Sequence, residues 1–515
     1  MLAERGDSNT PFLVLLAGSL EVTRATPYGE ELLLVGTSGT FFGDVTMLSN
    51  RASLVRARMR EAGEVVIVDR DSLRRLVQTD AELSDIIVRT FILRRLTFIA
   101  QGWGDVALVG SAYSAATLRI REFLSRNGHP YTYLDLDRDA GAQQLLDQLH
   151  VPAADVPVVI CRGRLVLRNP ANEEVADCLG FNTGIDDAHV RDVVIVGAGP
   201  GGLSSAVYAA SEGLSTLLVE LAYPGGQAGS SSKIENYLGF PTGVSGEELA
   251  GRATVQAEKF GAELLVARQA VSLKCDGRSY TVETDRGTGF PARAVVIATG
   301  AQYRKLPVAS LNRFEGIGVY YAATQTEAQL CGREEVVVVG GGNSAGQAAV
   351  FLSGTAAHVH MLVRSKALAS TMSRYLINRI EENPRITLHT HTELTAAEGN
   401  GRLGGVEWRH GPTDHVERRP IRHVFVMTGA TPNTDWLKGC VALDQAGFVK
   451  TGQDLTPDDL AASRWPLSRA PYLFETSRPG VFAVGDVRSG SVKRVASAVG
   501  EGSIAVYLIH RALHE

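Results

Sequence analysis

Asp192 to Gly202 reads DVVIVGAGPGG, and this stretch decides the fold. A continuous apolar run ending in Gly197-x-Gly199-x-x-Gly202 predicts a buried strand that turns tightly into a helix. Gly197 permits the turn, Gly199 lets backbone N–H groups approach a pyrophosphate ahead of Pro200, and Gly202 lets the helix pack closely on the strand. The following STLLVEL supplies the second strand of a βαβ dinucleotide unit. Glu220 closes that strand, where an acid accepts hydrogen bonds from a ribose diol.

The chain has 515 residues, 44% of them hydrophobic and 21% charged, which is ordinary globular material for three or four domains. A net charge of −5 with both signs mixed leaves no basic face for nucleic acid. No apolar run reaches membrane-spanning length, and Phe12–Leu20, preceded by Glu4 and Asp7 rather than a basic cluster, reads as a strand and not a signal peptide. Five cysteines lie far apart without a CxxC, so neither a disulfide framework nor a metal site is expected, and a reducing cytoplasm fits.

Between residue 11 and about residue 70 short apolar runs alternate with turn residues, the rhythm of an all-β roll, and helix-period text follows to Ala100. The piece FFGDVTMLSNRASL resembles the phosphate-binding cassette of cyclic-nucleotide-binding domains. The resemblance implies a cyclic nucleotide as ligand, with Asp44 at the ribose 2′-hydroxyl, Arg51 at the cyclic phosphate and Ser53 beside it. Asp44 is one methylene shorter than that family's usual Glu, and the family's opening strands are largely missing ahead of Phe12.

Residues 105–182 alternate strand, helix, strand, helix, strand, strand, helix, and resemble a glutaredoxin or thioredoxin fold, including Val156-Pro157 where that family has a cis-proline. The family's CxxC is replaced by Ser111-Ala112-Tyr113-Ser114, so a redox-inert spacer or docking module is expected. Cys161 and Cys178 read as small buried apolar residues.

From about Val190 to Ala512 the chain resembles the low-molecular-weight thioredoxin reductases. That resemblance implies FAD, with Gly226, Gln227 and Asn236 at the isoalloxazine, Ala298-Thr299-Gly300 at a crossing strand, Gly485-Asp486 at the ribityl chain, and Arg494-Val495-Ala496 at the flavin ring. A second glycine turn, Gly340-x-Gly342-Asn343-Ser344-Ala345, opens a fold whose second strand ends in Arg364 and Lys366. Cations there attract a 2′-phosphate, so NADPH is the expected nicotinamide. The family's redox CxxC aligns with Ala322-Ala323-Thr324-Gln325, which has no thiol, and the nearby Cys331 reads as a core residue.

The expected architecture is therefore multidomain: an all-β roll (1–100), an α/β thioredoxin-like domain (105–182) and two Rossmann-like α/β domains, FAD in two parts (186–306 and 430–515) and NADPH (307–429), with hinges near Lys305–Val308 and Gly429–Thr434. The expected function is an FAD-dependent NADPH oxidoreductase that hands electrons directly to a small molecule or redox protein and needs no catalytic acid or base. A regulatory flavoprotein responding to a cyclic nucleotide, or a thioredoxin-disulfide reductase using a partner's cysteines, are the alternatives. A homodimer is implied by the same resemblance.

Overall fold

The computed structural model describes the chain apart from Ser8, Pro27, Tyr28, Asn50, Gly163, Arg164, Ser232, Lys233, Glu235, Asn236, residues 276–278 and 316–317, Ala322, Thr324 and residues 369–371. The expected flavin contact Asn236 and two positions of the Ala322–Gln325 segment lie outside the described residues, as does the side chain of Gln325. Two compact units form: unit 1 is Met1–Gly229, Glu248–Gly300 and Thr434–Glu515, and unit 2 is Ser230–Glu247 and Ala301–Asn433. The units divide after Gly300 and Asn433, so Lys305–Val308 falls inside unit 2, where Ala301–Tyr303 pairs antiparallel with Ala430–Pro432.

Unit 1 begins with an antiparallel sheet in which the long strand Phe12–Thr26 pairs with Gly29–Thr37, Phe41–Phe42 and Arg56–Val68. Leu13 and Leu15 face the core, but so do Leu20 and Val22, because register shifts between Leu15 and Leu20 change which face points inward. Gly63 sits at this irregularity, where a Cβ would lie 1.9 Å from the Ala17 carbonyl oxygen. Two helices follow, Arg70–Thr79 and Ala81–Ala100, each started by an aspartate: Asp69 accepts from the Ser72 N–H and Asp80 from the Leu83 N–H.

Next comes a four-stranded sheet in the spatial order Thr132–Asp135, Val106–Gly110, Val158–Cys161, Leu165–Arg168, with the first pair parallel and the others antiparallel. Helices Ala115–Arg126, Ala140–Gln148 and Asn172–Leu179 complete a βαβαββα chain, and Val156-Pro157 is cis. Ser114 caps the first helix, and Gly110 at the strand end before it would bring a Cβ to 3.1 Å from Pro157.

The cysteines depart from expectation. Cys161 is disulfide-bonded to Cys178, and Cys275 to Cys440, so these are not free apolar core residues. The pairs are 17 and 165 residues apart, and the fold, not local spacing, brings them together. The cysteine argument for a reducing compartment falls with them. Cys331 is free and buried, as the sequence suggested.

The main sheet of unit 1 runs Glu263–Leu265, Thr216–Val219, Arg191–Val196, Gly289–Ile297, Tyr280–Thr284, Ala270–Lys274, with Val481–Ala483 also paired to Gly289–Ile297. Its central strands are parallel and buried on both faces, which explains unbroken apolar runs such as Val193–Val196. The helix Pro200–Ser211 packs against the C-terminal helix Val495–Leu513 through small residues: Ser204 Oγ donates to the Val499 carbonyl at 2.7 Å, and a Cβ on Gly502 would lie 2.5 Å from the Gly201 oxygen.

Unit 2 has a five-stranded parallel sheet, Val319–Tyr320, Val424–Val426, Glu335–Val339, His358–Val363, Ile386–Thr390, and a three-stranded antiparallel sheet, Thr392–Glu398, Gly405–His410, His415–Arg419. Among the described residues no helix is long and apolar enough to cross a membrane.

His360 and His389 lie between the two sheets of unit 2, ring nitrogens 3.1 Å apart and both against Trp408. Burial holds both imidazoles below the ordinary value of about 6.5; Glu335 and Glu417 oppose that shift, and His358 and Arg419 reinforce it. The unfolded chain takes up protons first, so unit 2 loses stability as pH falls below about 6.5 and keeps it above. Chemical denaturation between pH 8 and 5 should show that decline for unit 2, and His360→Gln should flatten it.

Candidate functional site

The first glycine turn shows why each glycine is needed. Gly197 has φ +102°, and a Cβ there would lie 2.4 Å from the Ala298 oxygen. A Cβ on Gly202 would lie 1.8 Å from the Gly197 oxygen, so any side chain would pry the helix from the strand. Gly199 differs: a Cβ there would meet only Gly226 Cα, at 4.0 Å in ordinary van der Waals contact, while a Cβ on Gly226 would lie 3.0 Å from Gly199 Cα, so the turn and the Gly226–Gly229 helix approach closely at this pair of glycines. Gly199 is also the N-cap of Pro200–Ser211 and offers no side-chain acceptor, so the first N–H groups of that helix are not capped by it. A helix N-terminus with uncapped N–H groups at a glycine suits a pyrophosphate.

Glu220 stands beside this turn. Its Oε2 accepts from the Ala198 N–H at 2.7 Å and its Oε1 from the Ala222 N–H at 3.0 Å, tying the end of the second strand to the glycine turn and the next loop. Desolvation raises its pKa, while the two amides and the nearby Arg126 favour the charged form. The loop after it folds back on the turn, because the Gly225 N–H donates to the Ala198 carbonyl at 2.7 Å. Ala198, Gly199, Glu220 and Gly226 thus come together from three separate segments.

The other expected FAD residues lie at strand ends of the same unit. Ala298 donates its N–H to the Val196 carbonyl, and Gly300 has φ +63°. Gly485 has φ +74° and donates its N–H to Glu501 at 2.6 Å, an acid also paired with Arg488 at 2.8 Å. The neighbouring Asp486 has its pKa raised by burial and by Glu501, and Lys493 binds its carbonyl at 3.1 Å. Arg494 is the exposed N-cap of the last helix, followed by Val495 and Ala496. Glu501 and Arg488, which hold this strand end, carried no motif in the sequence.

Unit 2 repeats the turn. Gly340 has φ +144° with a Cβ position 2.2 Å from the Met427 oxygen, Gly342 is the uncapped N-cap of Asn343–Leu352, and Ala345 is buried at the close approach. Asn343 accepts from the Ser373 N–H at 2.7 Å, and Ser344 follows it in the first turn of the helix. Beyond the second strand Arg364 and Lys366 are exposed, and among the described residues Arg364 has a distant ion pair with Glu393 at 4.0 Å. Their charges remain available to a solvent-borne phosphate.

The cassette residues of the roll each have partners within the chain. Asp44 caps the turn Val45–Met47 through the Thr46 N–H and pairs with Arg95 at 3.5 Å. Arg51 donates to the Asn127 carbonyl at 2.5 Å and lies over the Phe181 ring at 4.9 Å. Ser53 donates to the Val55 carbonyl at 3.0 Å. The cavity bordered by Ser49 and Arg51 is also lined by Arg74, Glu258 and Glu263, so both signs of charge face it.

Two glycine-turn folds, one ending in an acid and the other in cations, define a flavin- and nicotinamide-using oxidoreductase. Residues 191–502 match the pyridine nucleotide-disulphide oxidoreductase family, and residues 1–80 the cyclic nucleotide-binding domain. The thioredoxin reductase of Bacillus subtilis (strain 168) is 32% identical over 332 residues, 64% of this chain and 97% of that protein. NADPH-dependent thioredoxin reductase 3 of Arabidopsis thaliana is 32% identical over 331 residues, 63% of this chain and 58% of that one. The Lactococcus lactis thioredoxin reductase structure superposes with a TM-score of 0.56 at 27% identity, covering 63% of this chain and 99% of that one, and the T. acidophilum thioredoxin reductase with 0.55 at 30%, covering 62% and 98%. The chain belongs to the pyridine nucleotide-disulphide oxidoreductase family and is an FAD-dependent NADPH oxidoreductase, with a cyclic nucleotide-binding domain at its N-terminus.

The glycines separate folding from binding. Gly202→Ala should destabilise unit 1 by about 3 kcal/mol or more, since no rotation relieves a clash with backbone. Gly199→Ala should leave the apo protein within about 1 kcal/mol of wild type yet lower FAD affinity at least about tenfold by placing a methyl group at the helix N-terminus that receives the pyrophosphate. Denaturant melts of the apo proteins and FAD titrations of both variants check this.

Proposed function

We propose that this enzyme uses NADPH to reduce FAD and delivers the electrons to an acceptor without an internal dithiol. The observation that carries the reading is the sequence Ala322-Ala323-Thr324-Gln325, which leaves no thiol where the reductase family has its CxxC. Cys331 offers no substitute: it is 1% exposed, and burial together with Glu327 and Glu334 pushes its thiol up to about 12. Bound FAD supplies the hydride chemistry, accepting from the nicotinamide and giving to the acceptor.

The residues of this chain do the holding. Ala198 to Gly202 bind the pyrophosphate, Glu220 the ribose diol, Gly226 and Gln227 the flavin side, and Asp486 the ribityl chain. Arg364 and Lys366 select the 2′-phosphate of NADPH, and Gly340 to Ala345 receive its pyrophosphate. The acceptor is a small molecule or a redox protein. Assembly as a homodimer belongs to the same reading, supported by the helix Ala81–Ala100, which exposes Leu83, Ile86, Leu93, Leu96 and Ile99. A cyclic nucleotide remains the second reading for the roll, favoured by the family match of residues 1–80.

Anaerobic titration tests the proposal. NADPH should bleach the flavin faster than NADH, and oxygen, quinone or a carrier protein should restore the colour while a disulfide dye does not. Arg364→Ala with Lys366→Ala should raise the KM for NADPH about tenfold or more and leave that for NADH unchanged. Rapid disulfide reduction that is lost in Cys331→Ser overturns the reading.

A cytoplasmic location is part of the same reading, although the two disulfides stand against it, and they give a direct check. Protein isolated under thiol-blocking conditions should show five free thiols if the cell keeps every cysteine reduced, and one if both bridges persist. The second count, from protein recovered from intact cells, argues for an oxidising compartment.

A further inference from the structure

The helix Ala115–Arg126 of the βαβαββα module ends in a turn that meets three neighbours within four residues. On one side the roll holds it: Arg51 donates to the Asn127 carbonyl at 2.5 Å and Arg95 to the Gly128 carbonyl at 2.8 Å. Beneath, His129 pairs with Asp105 of its own module at 3.1 Å. On the far side Arg126 reaches the loop after Glu220. Its Nη2 donates to the Gly226 carbonyl at 2.7 Å, and its guanidinium lies 4.0 Å over the ring of Tyr223, whose hydroxyl donates to Glu122 at 2.8 Å.

We propose that Arg126 is a positioning residue for FAD, through which the two N-terminal modules hold the Gly225–Gly229 loop at its working distance from Gly199. The inference rests on the reading that this loop and the glycine turn hold the cofactor.

Three observations support it. Arg126 is 9% exposed, and a cation taken out of water is tolerated only where its surroundings compensate it. Here these are the Gly226 carbonyl, the Tyr223 ring face, Glu122 at 3.3 Å and the charge of Glu220. Arg126 adds a second anchor to the loop: the Gly225 N–H bonds the Ala198 carbonyl at 2.7 Å and Arg126 the Gly226 carbonyl, and with φ of +106° and +52° at Gly225 and Gly226 the peptide between them has many other conformations open to it when an anchor is lost. Finally, the loop leaves room for the guanidinium, since a Cβ on Gly229 would overlap Arg126 Nη2 at 2.3 Å. The cassette residue Arg51 thereby acquires a use that requires no nucleotide, as the outer anchor of the same turn.

The test uses the full chain stripped of flavin and reconstituted. FAD affinity is read from flavin fluorescence, the environment of the ring from its visible spectrum, and the midpoint potential from dye equilibration. Arg126→Gln should weaken FAD binding about tenfold or more and shift both the spectrum and the potential. Arg126→Lys, which keeps the charge and a donor, should recover part of each. Gly229→Ala should reproduce the loss with Arg126 present, and Arg51→Gln should move affinity in the same direction by less. Where Arg126→Gln fails to fold, Gly229→Ala decides. Wild-type affinity, spectrum and potential in the folded Arg126→Gln or Gly229→Ala protein overturn the inference alone, whereas a wild-type chain that takes up no FAD overturns the flavin-site reading together with it.

Discussion

Two hydrogen bonds to one carboxylate, from the amides of Ala198 and Ala222 to Glu220, hold together the part of unit 1 on which the rest converges. They join the glycine turn, the end of the second strand and the loop that follows, three segments that the sheet alone would leave free to shift. An acid in this place is costly, because its surroundings strip it of water and raise its pKa. The amides return part of that cost, and Arg126 brings a compensating charge from a module otherwise separate in sequence. Residues 186–515 do not include that cation, so the N-terminal modules contribute to the electrostatics around Glu220 as well as to the length of the chain.

The second glycine turn follows the same backbone rules with the opposite charge at its outer end. Glu220 is bound by amides and removed from most solvent, whereas Arg364 and Lys366 stand in water with little to pair with. The difference suits a cofactor that stays and a cosubstrate that leaves. A resident ligand gains from an acid fixed in advance, and a diffusing anion is better met by mobile surface cations, whose attraction is screened beyond about 10 Å at ordinary salt.

Both turns were legible in the sequence because their demands are local. Gly197, Gly202 and Gly340 sit where backbone oxygens leave no room for a Cβ, and that constraint repeats at fixed spacing. The strands of the roll were legible through their apolar runs, and the order of the βαβαββα module through its alternation. The disulfides were not, since Cys161 and Cys178, or Cys275 and Cys440, become neighbours only after sheets form between them. Asp44 and Arg51 look like ligand groups when read beside their cassette neighbours, and only the fold supplies Arg95, Asn127 and Phe181 as their partners. Arg126 had no signal at all, for nothing in REFLSRN marks a residue that will lie against Tyr223.

The discontinuity of unit 1 has a consequence for synthesis. The strand Val481–Ala483 pairs with Gly289–Ile297, and Cys440 bonds with Cys275, yet the residues of unit 2 from Ala301 to Asn433 emerge from the ribosome between those partners. The main sheet therefore waits with an open edge while the inserted unit is made, and open edges of apolar strands recruit other chains. A polypeptide arrested in that interval carries its nucleotide turn and its N-terminal modules but not the closing strand or the last helix. Its hazard is self-association during translation, for as long as the residues up to Val481 take to emerge.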